Sequence, residues 1–113
     1  MNAARLETLF KDILQKDVRI LLKDRVLREG KFILFRQTNF CFELILMTGK
    51  KMNKFLLPIP YSIEHWNGDD VFFLDYRNRT LVKDNQYVLE YLKKVKIRNP
   101  SKYYNSIIEV EAT

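Results

Sequence analysis

The sequence predicts a mainly β domain: a helix first, then a run of antiparallel strands, then a second helix. Three observations carry this. Leu6, Leu9, Phe10, Ile13 and Leu14 recur at the i, i+3, i+4, i+7, i+8 spacing of one helix face. From Val18 to Tyr76 the apolar residues fall in short alternating runs between polar turns. Val88, Tyr91, Leu92 and Val95 then return to helical spacing.

The first helix is expected over Ala3 to Gln15, with a face apolar enough to cover a sheet. Val18 to Lys23 alternates as the first strand, and Lys23-Asp24-Arg25 turns the chain. Val26 to Phe35 is the second strand, interrupted by Gly30. A glycine there implies a bulge, a bend or a close backbone approach. Gln37, Thr38 and Asn39 make the next turn. Phe40 to Met47 is apolar on both faces, as in a strand covered on both sides. Thr48 to Lys54 reads as a basic turn and Phe55 to Pro60 as the fourth strand. Pro58 and Pro60 lack amide donors, so one side of that strand is unpaired or bulged. Ser62 to Trp66 is ambiguous, and Asn67-Gly68-Asp69-Asp70 signals a turn. Val71 to Tyr76 is the fifth strand. Asp84 or Asn85 can cap the second helix, which runs to about Lys96; Asn99-Pro100 stops it. The segment with Tyr103, Tyr104, Ile107, Ile108 and Val110 reads equally as a strand, a docking segment or a flexible end. Residues 1–98 are thus expected as one domain and 99–113 as a tail.

With 113 residues, 47% of them apolar, the chain can build one core without staples. Its apolar runs fall far short of the ~18 residues of a membrane helix. The N-terminus mixes both charge signs with its apolar residues, unlike a signal peptide. Cys41 is the single cysteine, so no internal disulfide forms. A lone thiol inside a strand reads as a buried small hydrophobe in a reducing compartment. An intracellular site, cytoplasmic or nuclear, is expected. The net charge of +6 is compatible with nucleic acid or an acidic partner, and many inert domains carry as much.

The stretch Val18-Arg19-Ile20-Leu21-Leu22-Lys23-Asp24, followed by Gly30, Phe35 and Asn39, and then Ile59-Pro60-Tyr61-Ser62-Ile63, resembles the two motifs of the Sm/Like-Sm family. The resemblance implies an N-terminal helix on a strongly bent five-stranded antiparallel Sm-like barrel, here with an added C-terminal helix. It also implies a non-enzymatic module that assembles edge to edge into a ring, dimer or heteromeric complex with nucleic acid. Arg36 stands where the family has an aspartate, and Pro60-Tyr61 where it has an Arg-Gly pair. Those departures remove the family's uridine pocket. The second helix and tail lie outside the resemblance.

No catalytic, metal or cofactor site is expected. His65 is the only histidine, and no second soft ligand joins it. A Ser62–His65 dyad with Asp69 or Asp70 is weaker than a partly exposed loop histidine beside Trp66. Three scattered glycines form no phosphate loop. Asp69, Asp70 and Asp75 fit a hairpin turn and an ion pair with Arg77 or Arg79 better than a cation site. The binding candidates are basic: Lys50, Lys51 and Lys54 in one loop, Arg77 and Arg79, and the acid-free group Lys93, Lys94, Lys96, Arg98 and Lys102. Such groups neutralise phosphates, with Tyr103 or Tyr104 to stack bases; a solvated hairpin tip and helix end explains them equally well. Phe55, Leu57 and Ile59, with Val71 and Phe73, are the candidate edge-strand interface. The expected partner is a second copy or a related chain; RNA or DNA bound through the basic groups is the alternative. No membrane or small-molecule partner is evident.

Overall fold

The computed structural model describes residues 3–38, 40–66, 70–77, 86–97 and 106–113. Its elements are α1 (Ala3–Lys11), β1 (Asp17–Leu22), β2 (Arg25–Gln37), β3 (Cys41–Thr48), β4 (Lys51–Pro58), β5 (Ser62–Trp66), β6 (Val71–Asp75), α2 (Gln86–Lys94) and β7 (Ile107–Ala112). The strands form one antiparallel sheet in the order β4-β3-β2-β1-β7-β6-β5.

This corrects the expected five-stranded barrel. Among the described residues the sheet has seven strands and stays open, with β4 and β5 as its edges. Two strands account for the difference in count. Ser62–Trp66 pairs with β6, and Ile107–Ala112 inserts between β1 and β6. The second pairing joins residues some ninety positions apart, such as Arg19 and Glu111, and no local pattern announces it.

Phe10 shows how the sheet curls. Its ring stacks on Phe72 of β6 at 4.9 Å, Phe35 of β2 at 5.5 Å and Phe42 of β3 at 5.7 Å, and meets Phe32 edge-on at 6.4 Å. β3 and β6 stand four places apart in the sheet. A flat sheet would separate them by roughly 19 Å at ~4.8 Å per strand. One ring touches both only because the sheet wraps around it. Leu6, Phe10 and Ile13 are fully buried on this concave face, as the helical stripe anticipates. The regular helix ends at Lys11, short of the expected Gln15. The next turns close by i→i−3 bonds, such as Ile13 N–H to the Phe10 carbonyl at 3.2 Å. Gln15, with φ of 72°, then leaves the helix and donates to the Phe32 carbonyl at 2.7 Å.

The turns obey hairpin geometry. Lys23 and Asp24 both have positive φ, 51° and 65°, as the two-residue turn between β1 and β2 needs. Between β3 and β4 the loop is only Gly49-Lys50, with the positive φ of 63° on Gly49. The expected basic turn is therefore shorter, and Lys51 and Lys54 lie on β4. Bulges sit in β2 opposite Ile20/Leu21 of β1 and again between Phe32 and Leu34. They raise local twist and help the long strand wrap.

Gly30 is a close-approach position. A Cβ there would stand 2.8 Å from the Met47 carbonyl oxygen and 2.9 Å from Thr48 Oγ1. The first of these is backbone and cannot swing aside. Gly30→Ala should destabilise the fold by roughly 1–3 kcal/mol, as overpacking does. Phe10→Ala should cost about 3–5 kcal/mol, since the ring is wholly buried. Urea unfolding checks both. An unchanged midpoint for Phe10→Ala would mean that α1 does not hold the sheet.

Candidate interaction edge and polar clusters

The edge strand β4 gets its character from the hairpin before it. A two-residue loop makes its closing pair, Thr48 and Lys51, a hydrogen-bonded pair. Bonded pairs recur at every second residue, so Asn53, Phe55 and Leu57 direct their amides and carbonyls to β3. Ile59 N–H on the Phe40 carbonyl at 3.0 Å continues the series. Met52, Lys54 and Leu56 therefore point their backbone groups away from the sheet, as does the donor-less Pro58. That placement is why the sheet tolerates Pro58. Phe55 and Leu57 send their side chains into the core. Met52, Lys54 and Leu56 lie on the opposite, convex side, where Met52 is 54% exposed.

The same bookkeeping applies to β5. Tyr76 N–H to the Ser106 carbonyl and Ala112 N–H to the Asp70 carbonyl, both 3.0 Å, turn Phe72 and Leu74 toward β7. Val71, Phe73 and Asp75 then serve β5, bonding Trp66, Glu64 and Ser62. The unused backbone groups of β5 belong to Ile63 and His65. Ile63 faces the core, and period-two alternation puts His65 on the same side. Free residues on β4 thus carry convex-side chains, and free residues on β5 concave-side chains. The antiparallel pairings along the sheet make β4 and β5 run in the same direction, and no ladder joins them among the described residues. The Tyr76 hydroxyl, just past β6, donates to the Pro58 carbonyl at the end of β4 at 2.6 Å.

The predicted interface residues separate accordingly. Phe55 and Leu57 belong to the edge strand with buried side chains, so only its backbone and the Met52–Leu56 side are presented. Ile59 lies just past the strand end and is partly buried against the core. Val71 and Phe73 lie on β6, which is paired on both sides and is no edge.

The basic candidates also divide. Lys50, Lys51 and Lys54 are exposed together on the β3–β4 hairpin. Nearby on β2, Lys31 stands opposite Met47, which faces Met52. Arg28 lies 5.6 Å over the Phe55 ring. Sequence reading missed Met52, Arg28 and Lys31, because their proximity to the hairpin follows from register. Arg77 is already engaged: its guanidinium grips the Asp75 carboxylate at 2.8 and 3.0 Å. That pair bears out the expected ion pair and holds the Asp75 carboxyl below the usual aspartate range. Lys93, Lys94 and Lys96 are exposed at the end of α2. There Ile97 N–H bonds the Leu92 carbonyl at 2.7 Å and Lys96 N–H the Lys93 carbonyl at 3.0 Å, with Lys96 at φ of 73°. This is a Schellman cap, and Ile97 and Leu92 are both buried beside it. Arg79, Arg98, Lys102, Tyr103, Tyr104 and Asp69 lie outside the described residues.

His65 is not the loop residue expected. It sits on β5, its ring stacked on Phe72 at 4.1 Å and 6°. Ser62, three residues away, points to the other face, which excludes the Ser–His dyad. His65 Nε2 is buried, finds no hydrogen-bond partner among the described residues, and lies 3.9 Å from Asp70 Oδ1. The Asp70 carboxylate binds the Lys16 ammonium. That contact, with a smaller contribution from His65, lowers the Asp70 carboxyl. No cluster of metal-ligating side chains occurs among the described residues. Cys41 is buried as expected, its Sγ 3.0 Å from the Thr38 hydroxyl. Burial pushes the thiol up, which disfavours the nucleophilic thiolate. No described helix is long and apolar enough to cross a membrane.

On the convex side of the other half the charge is acidic. Glu64 accepts from the Trp66 indole at 3.0 Å, and Trp66 packs edge-on against Phe73 at 5.2 Å. Glu111 pairs with Arg19 at 2.9 Å. Glu109 lies between Leu21 and Phe73 in the ladder. Burial raises its carboxyl, and Glu111 and Asp24 add to this against Arg19.

No family model matches this chain, and neither a curated protein nor a solved structure matches it.

Glu109 and Asp70 should have opposite pH signatures. A raised folded value means that ionising Glu109 opposes folding as pH rises through it. Glu109→Gln should raise the Tm at neutral pH and give no gain below the ordinary glutamate range. A lowered folded value means that Asp70 stabilises above the ordinary aspartate range, and that this is lost as pH falls through it. Asp70→Asn should lower the Tm at neutral pH, and the deficit should close in acid. Thermal melts across pH test both signs.

Proposed function

We propose that this chain is a non-enzymatic interaction module that docks another polypeptide through the free edge of its sheet. The supporting observation is β4: an eight-residue strand whose outer backbone groups, at Met52, Lys54 and Leu56, have no strand partner among the described residues. Unpaired strand edges are templates for a further strand. The docked strand comes from a second copy or a different chain. Nothing in this reading requires a closed barrel or a uridine pocket. The pairing of Asp70 with Lys16 and of Asp75 with Arg77, and the burial of Cys41, support a role without chemistry.

Amide exchange tests the proposal. In the free chain the amides of Asn53, Phe55 and Leu57 should exchange slowly, and those of Met52, Lys54 and Leu56 rapidly. In any complex the chain forms, the second set should become protected. Met52→Pro removes an outward donor and no bond to β3, so it should weaken that complex while leaving the Tm nearly unchanged. A complex that leaves those three amides unprotected would overturn the edge reading.

A further inference from the structure

We infer that β4 receives an extended acidic peptide, with an acidic side chain opposite Lys54 and apolar ones two residues to either side. The inference rests on the edge reading above and names the partner's chemistry. In an added antiparallel strand, the residues that bond to Met52, Lys54 and Leu56 share the convex face with them. Lys54 is exposed and makes no ion pair among the described residues. Met52 is exposed and Leu56 half-buried. The docked strand therefore sees apolar, cation, apolar in order. Its complement is apolar, any, acidic, any, apolar.

Two further observations favour this occupant. Lys50 adds a cation at the hairpin tip and Lys31 one on the convex side of the next strand but one, while Lys51 and Arg28 lie on the Phe55 side of the sheet. A second copy docked edge to edge would oppose this field with the same lysines, the usual device against self-pairing. The edge also offers acceptors as well as donors: Lys54 and Leu56 each present both an amide and a carbonyl. A phosphate backbone accepts only, and would leave those carbonyls unpaired. A peptide backbone satisfies both.

The probe is the capped peptide Thr-Thr-Val-Thr-Glu-Thr-Val-Thr-Thr, compared with its Lys-for-Glu counterpart and with oligo-uridine, by amide-resolved NMR titration on the full chain. The Glu peptide should shift and protect the amides of Met52, Lys54 and Leu56. It should bind roughly five- to tenfold tighter than the Lys peptide, the scale of one cross-strand charge reversal. Lys54→Glu should reverse that preference, a result that a merely misfolded variant would not produce. Equal affinity for the two peptides, shifts confined to other strands, or no saturation by the Glu peptide would each overturn the proposal. Oligo-uridine that alone shifts the hairpin amides would overturn it too, and would assign the edge to nucleic acid. If the peptides fail but native complexes protect the three amides, the edge reading stands and only the acidic partner falls. If those amides are never protected, both fall.

Discussion

The ring of Phe10 touches side chains from strands that a flat sheet would hold roughly 19 Å apart. Satisfying that one residue requires the sheet to curl, and the rest follows from the curl. The long strand β2 must bend twice, and it carries two register shifts to do so. Its neighbour must pass close to it, and Gly30 makes room where a Cβ would strike the Met47 carbonyl. The helix that supplies Phe10 ends where its chain must cross to β1, and the Gln15 amide and the Lys16 carbonyl bind both backbone groups of Phe32. The helix cap and the strand register are thus set by the same crossing.

Curling brings the end of β4 against the end of β6, where the Tyr76 hydroxyl donates to the Pro58 carbonyl. Backbone groups left free on β4 accompany convex-side chains, and those left free on β5 accompany concave-side chains. No strand among the described residues takes up the outward groups of β4. The open edge puts unpaired donors and acceptors beside the lysines of the β3–β4 hairpin.

On the convex face the β2–β4 half mixes Lys31, Arg36 and Lys54 with Glu29 and Glu43, and the β5–β7 half presents Glu64, Glu109 and Glu111. Several charges on the acidic side are consumed locally, by Arg19, by the Trp66 indole and by Arg77. The lysines of the β4 hairpin have no such partners among the described residues, which leaves their field available to a ligand.

The features legible in the residues alone are local. The stripe on α1, the alternation of β1 to β3, the glycine of close approach and the buried thiol follow from period, turn chemistry and composition, and they appear in the structure where the residues place them. Two other pieces were legible only as alternation. The segment with Tyr103, Tyr104, Ile107, Ile108 and Val110 reads as a strand among other options, and Ser62 to Trp66 is ambiguous. Only tertiary structure decided where they pair, because β7 meets β1 across nearly the whole chain and loop closure of that length leaves no mark on neighbouring residues. Those two placements changed the architecture from a five-stranded barrel to a seven-stranded open sheet and moved Val71 and Phe73 from an edge to the interior. The candidate site was half visible for the same reason. The lysines of the hairpin could be read directly, but that they line a free edge depends on which strands flank β4, and on a ladder parity that exists only once the strands are paired.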